Sequence, residues 1–301
     1  MNPVLALIIA NIIWGAASPI FKFALQNIPP FTLAFIRFFF AGLIFVPFAI
    51  NKWQPLTVRQ WIEIILVGFF GVTINISFFF LGLAKTESIN APIIASSGPI
   101  FIYLLSVQFL KEKPKLKVFS GILIGLLGVL IIILSPIFLG HKKLIFGEIQ
   151  GNLFFLLATL GTVFQTIVGK DVLRKVNSSQ VTLISFLFGS LTFLPFMRNE
   201  LISWSFTNLD IRGIVGIIFG IFLSSALAYY LYYWGISKIK AQEVGLFTYI
   251  DPVIAVLIAI PLLGEYPNLY FFIGSLFVFG GIYLAEGRIH WHPFHKLKMS
   301  K

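Results

Sequence analysis

The amino-acid sequence predicts an all-α integral membrane protein with ten transmembrane helices laid out as two inverted five-helix repeats. Three observations predict it. The 301 residues are 58% hydrophobic and 11% charged, with a mean hydropathy of +0.96, well outside the usage of soluble domains. Ten apolar runs of spanning length follow one another with short polar connections. The second half of the chain also matches the first. Ten spans of roughly 20 residues use about 200 positions, so no soluble catalytic domain fits in the remainder.

The first run, 3–25, has no basic stretch before it and outruns a signal-peptide core, so it reads as a retained span. Runs at 31–50, 60–84, 89–110 and 116–138 complete the first half. Runs at 149–168, 179–197, 213–236, 242–263 and 268–285 make up the second. Each is too long and too evenly apolar for a barrel strand, and lipid offers no partner to an open backbone group, so each reads as a helix.

Sliding the chain by 153 positions lays Gly82 on Gly235, Lys85 on Lys238, Pro99 on Pro252, Glu112 on Glu265, Pro114 on Pro267, Gly121 on Gly274 and Gly128 on Gly281. A slide of 148 does the same for the earlier part, with Lys22 on Lys170 and Pro47–Phe48 on Pro195–Phe196. Coincidences of Gly, Pro, Lys and Glu are more telling than Leu on Leu. Each half holds five helices, an odd number, so the second half inserts upside down. The units are 1–140, 147–286 and a basic cytoplasmic tail, 287–301.

The net charge of +11 does not indicate nucleic acid, because the Lys and Arg flank the apolar runs as topology signals. Of 22 Lys and Arg, Arg37 sits within a helix. Placing both termini in the cytoplasm puts fifteen of the other 21 inside and six outside: Lys22, Lys85, Lys142, Lys143, Arg198 and Arg212. That bias favours a plasma (inner) membrane protein with both ends cytoplasmic, Lys115 inside and Lys142 outside. With no Cys, there is no disulfide framework or thiolate metal site. The four His (141, 290, 292 and 295) lie outside the spans, so no intramembrane Ser–His pair or HExxH metal site forms. No metal, cofactor or enzymatic activity is expected.

Asn11, Trp14, Ser18 and Lys22 share one face of the first helix, which points inward as interhelical glue or as a cavity wall. The sixth helix carries Thr159, Thr162, Thr166 and Lys170 in a similar stripe, with Gln165 beside it. The third helix sets Gly68, Gly71, Asn75 and Gly82 along one side, with Phe78 and Phe79 adjacent. In the eighth, YYLYYW suits an interfacial aromatic belt, yet Ser225, Tyr229 and Tyr233 fall on one face, fit to stack on a small amphipathic solute. Pro99 and Pro252 read as paired kinks, or hinges, in helix interiors. Asp251, about ten residues into the ninth run, is costly there unless paired, protonated or hydrated, which makes it a candidate charge switch with Lys22 and a route to proton coupling. Glu112 and Glu265 read as helix-end fasteners. The glycine ladders at 121, 125, 128 and at 274, 280, 281 allow close helix contact, within the chain or in a homodimer.

The segments WGAASPIFK, LAFIRFFFAGLIFVP and DPVIAVLIAIPLLGE, with its repeat-equivalent GPIFIYLLSVQFLKE, resemble the EamA-type, ten-helix branch of the drug/metabolite transporter superfamily over about residues 3–286. The resemblance implies an alternating-access carrier, often an exporter, of small metabolites such as amino acids, in contact with membrane lipids. Its cavity would be built from helices 1, 3, 4, 6, 8 and 9. Candidate substrate-binding residues are Trp14, Ser18, Asn75, Phe79, Gln165, Tyr229, Tyr233 and Asp251. A facilitator or channel on the same fold, a lipid-linked sugar flippase and a transport-inactive scaffold are the alternatives.

Overall fold

A computed structural model describes residues 2–98, 100, 101, 105, 116–139, 145–236 and 247–286. Among these residues the chain is helical, with no strand. α1 (Pro3–Ala24) opens on Asn2, whose side chain accepts from the Val4 N–H while Pro3 takes a position whose missing donor costs nothing. α2 (Pro30–Ile50) follows. α3 (Val58–Gly68) starts from a capping box of Thr57 and Gln60, runs through a π-helical turn (Phe69–Ile74) and continues as α4 (Asn75–Leu83). The short α5 (Asn90–Ala95) comes next. α6 (Leu116–Phe138) and α7 (Ile145–Lys175) cross the middle of the chain.

α8 (Ser178–Thr192) and α9 (Leu194–Ser203) meet at a 46° bend. The run expected at 179–197 is bent there: Pro195 lacks the N–H that would carry the ladder across Phe193. α10 (Ile211–Ile218), a second π segment (Phe219–Leu227) and α11 (Ala228–Ile236) form one span. α12 (Ile250–Leu263) ends on Gly264 at φ 68°, a left-handed cap that suits glycine. α13 (Leu269–Glu286) closes the described chain.

Six of these helices are long and apolar enough to cross a membrane, and the bent α8–α9 pair is a seventh candidate. The stretches Phe247–Leu263 and Leu269–Leu284 are apolar but shorter. The protein is therefore a multi-pass membrane protein. Pro99 and residues 102–104 and 106–110 of the expected fourth helix lie outside the described residues, as do Glu112, Lys115, Lys142 and the tail 287–301.

Two regularities position the centre of the molecule. Adding 148 to the first residue of α2 gives the first residue of α8, 178. Adding 153 to the first residues of α3 and α4 gives 211 and 228, the first residues of α10 and α11. The same shift carries the first π segment into the second. Packing pairs α6 with α13 and α2 with α8, sets α1 against α11 and α12, and sets α7 against α4 and α5. Glycines of both ladders bring α6 onto α13: a Cβ on Gly128 would lie 2.5 Å from the Gly274 carbonyl oxygen.

Candidate functional site

Helix α1 runs through the centre, and its residues lead to three clusters. The first is aromatic. The Trp14 indole N–H donates to the Ser224 carbonyl at 3.1 Å. A π turn frees backbone acceptors that an α-helix would use internally. The Trp14 ring lies 5.3 Å from Tyr229, edge-on, and 4.9 Å from Tyr232. Trp14 and Tyr229 are half-buried, so the cluster has an open side. Phe186 closes on Tyr229 at 5.1 Å.

Behind this cluster lies Arg37, 4% exposed. Its Nε donates to Ser225 Oγ at 2.8 Å and Nη2 to Ser224 Oγ at 2.9 Å, and its guanidinium stands 4.6 Å from the centroids of both Phe21 and Phe38. Two hydroxyls and two ring faces thus hold a cation in an apolar surround. Tyr229 lies within electrostatic reach of Arg37, and Tyr232 within reach of Asp251.

Asp251 stands second in α12, in the first turn. A 3-10 turn (Phe247–Tyr249) leads into that helix, and residues 242–246 of the expected run lie outside the described residues; Pro252 falls in the first turn of α12, where proline is tolerated. The carboxylate sits at the positive end of the helix, against α1, where a Cβ on Gly15 would fall 2.7 Å from the Asp251 carbonyl oxygen. Among the described residues no protein group hydrogen-bonds Asp251 Oδ1, and Asn11 Oδ1 and Ser18 Oγ, buried on α1, are likewise unpartnered.

The second cluster joins α4 to α7. Asn75 Nδ2 donates to the Ala158 carbonyl and to Thr162 Oγ1, each at 2.8 Å. The Gln165 side chain lies directly over Gly71, where any Cβ would overlap it. Thr162 and Thr166 are exposed, and each hydroxyl also bonds a carbonyl four residues back. Phe79 faces Phe21 at 6.4 Å and Phe155 at 6.2 Å.

The third cluster corrects the role expected for Lys22. Its Nζ lies 2.6 Å from Glu265 Oε1 and donates to the Thr86 carbonyl at 2.7 Å. Asp251 stands at the other end of α12, about 18 Å of helix away. Glu265 is thus the fastener that the sequence suggests.

The structure brings Trp14, Tyr229 and Asp251 around α1, and Asn75 and Gln165 around α7. The Tyr233 side chain lies outside the described residues. Tyr232, Arg37, Ser224 and Gly15 are additions that the sequence reading did not select. The π segment shifts the register of α11 relative to an α-helical wheel, and Tyr232 joins Tyr229 against Trp14.

The model of the EamA-like transporter family matches residues 1–134 and 149–286. The chain belongs to that family. It is a membrane transporter and not an enzyme. The chain is 29% identical to the uncharacterized transporter YetK of Bacillus subtilis, over 95% of this chain and 87% of that one. It is 24% identical to an uncharacterized transporter of Archaeoglobus fulgidus, over 95% and 98% of the two. A solved crystal structure superposes with a TM-score of 0.63 at 20% identity, covering 94% of this chain and 96% of that one, a likeness of fold.

Proposed function

We propose that the protein is an alternating-access carrier that exports small amphipathic solutes, amino acids among them, across the plasma membrane, with Asp251 as its charge switch. The observation that carries this reading is the half-open Trp14–Tyr229–Tyr232 cluster, set between a buried cation, Arg37, and a carboxylate with an unpartnered oxygen, Asp251. Aromatic faces stack on the apolar part of a solute, and the two charges favour opposite polar ends. Recognition of this kind is broad and modest in affinity.

The coincident starts of α2 with α8, α3 with α10 and α4 with α11, and the coincident ends of the two π segments, under fixed shifts support two five-helix repeats. So does the pairing of α1 with α11 and α12 against that of α7 with α4 and α5. Ten spans and cytoplasmic termini follow from that reading and the charge bias. In exchange, a proton on Asp251 and a bound solute favour different openings, so a proton gradient drives export through linkage.

Metabolite profiling of cells with and without the gene identifies the solute, and counterflow in proteoliposomes then measures its exchange. Asp251→Asn keeps counterflow and loses gradient-driven accumulation. Unchanged pH dependence of accumulation in that variant rules the switch out. Alanine at Trp14, Asn75 and Tyr229 lowers apparent affinity; an effect on protein amount alone overturns the cavity.

A further inference from the structure

The polar groups at one end of the bundle form a connected network that the solute site does not use. Lys22, at the last turn of α1, meets Glu265 in the loop between α12 and α13. Glu265 Oε2 accepts the Ser88 backbone N–H at 2.8 Å and the Ser88 hydroxyl at 2.6 Å, from the loop between α4 and α5. Lys22 also binds the Thr86 carbonyl in that loop, and the Thr86 hydroxyl donates to Asn152 Oδ1 of α7 at 3.1 Å. Asn90 Nδ2 donates to the same oxygen at 3.0 Å. Glu265, Ser88, Thr86, Asn90 and Asn152 are all buried. A pocket of ≈ 220 Å³, lined by Lys22, Thr86, Asn90, Ser135, Glu148 and Asn268, lies against the network.

We propose that Lys22, Glu265 and Ser88 are a latch that closes this end of the carrier, with the pocket as its vestibule. The proposal rests on the alternating-access reading above. One carboxylate joins three parts of the chain that flank the candidate site: the end of α1, the α4–α5 loop and the α12–α13 loop. Its charge is compensated only while all three are together. Parting them leaves a buried carboxylate without its donors, so intermediate positions are costly and the end is either shut or open. Asp251 and Glu265 stand at opposite ends of α12, so a tilt of that helix links the solute site to the latch. That gives Glu265 a gating role beyond fastening a loop.

The chain has no Cys, so one introduced thiol reports on access. Gly98→Cys is the reporter, because among the described residues a Cβ there meets only Thr159 Cγ2, at 3.8 Å. Lys85→Cys, on an exposed residue beside the latch, defines the latch side of the membrane. A membrane-impermeant maleimide is applied from each side of proteoliposomes in turn. In the parent background position 98 is shielded from the latch side. Glu265→Gln and Lys22→Met each raise its labelling from that side about tenfold, the effect of roughly 1.4 kcal/mol on a closed–open equilibrium. Ser88→Ala, which removes one hydroxyl and keeps the backbone N–H, raises it less. Size-exclusion profiles establish folding, and Ser88→Ala carries the test if Glu265→Gln is not recovered. Unchanged latch-side labelling in the variants, with position 98 labelled from the opposite side throughout, overturns the latch and leaves the carrier reading intact. A reporter shielded from both sides in every variant overturns the cavity and the latch together.

Discussion

Asp251 and Glu265 are two carboxylates on one helix unit, and the fold treats them in opposite ways. Glu265, past the left-handed cap of α12, has a lysine, a backbone N–H and a hydroxyl within 2.8 Å. Asp251, in the first turn, has an oxygen with no protein partner among the described residues. Burying a charge is costly in either place, and what differs is whether donors compensate it. The compensated carboxylate holds three segments together, whereas the other keeps an oxygen without a protein partner among the described residues, the one to which the proposed function assigns a proton or a solute.

The strongest way to break this comparison is Glu265→Ala. It strands the Lys22 ammonium and the Ser88 donors, so unfolding in detergent, followed by tryptophan fluorescence, is expected to lose about 3–5 kcal/mol. A loss below about 1 kcal/mol would mean the network stabilises little.

Arg37→Ala sharpens the comparison, because Arg37 is a charge held by hydroxyls and ring faces instead of an opposite charge. The gap between Phe21 and Phe38 and the lost hydrogen bonds are expected to cost about 2–4 kcal/mol. The same melt checks it.

Asp251→Asn is expected to change stability by less than about 1 kcal/mol, in either direction, since no protein donor is orphaned. A large destabilisation would show that Asp251 has a structural partner and would undo the contrast with Glu265.

The smallest effect belongs to an exposed control. The Arg212 side-chain hydrogen bond holds the Asp210 carboxyl below the usual aspartate range. A group with a depressed folded-state value stabilises fully above its unfolded value and loses that contribution as pH falls through the folded one. Asp210→Ala should therefore lower the melting temperature slightly at neutral pH, and the difference should vanish in acid below the aspartate range.

Much of the candidate site was legible in the sequence. The face Asn11–Trp14–Ser18–Lys22 was set by helical spacing, and Trp14 and Lys22 on it do bond to other elements, while Asn11 bonds back to Leu7 of α1. Asn75, Gln165 and Tyr229 stood out because polar and aromatic groups within apolar runs are costly without partners. Tyr232 and Ser224 were obscured by the π segment, since spacing rules assume one residue count per turn, whereas Ser225 stood out. Lys22 was linked to the wrong carboxylate because charge alone does not say which end of a helix a loop will bring near.

By itself, the sequence determined the membrane class, the helical state of the spans and the correspondence between halves, because these follow from transfer free energies and from residues repeated at a fixed shift. Only the tertiary structure decided that α3 and α10 lead into π segments at matching places. It alone decided that equivalent prolines act differently, Pro47 staying within α2 while Pro195 accompanies the α8–α9 bend. It also decided that Lys22 closes on Glu265 while Asp251 keeps an open valence. Such outcomes depend on which loops and helix ends meet in space, and the pairing of buried donors and acceptors is a property of the packed bundle rather than of any one segment.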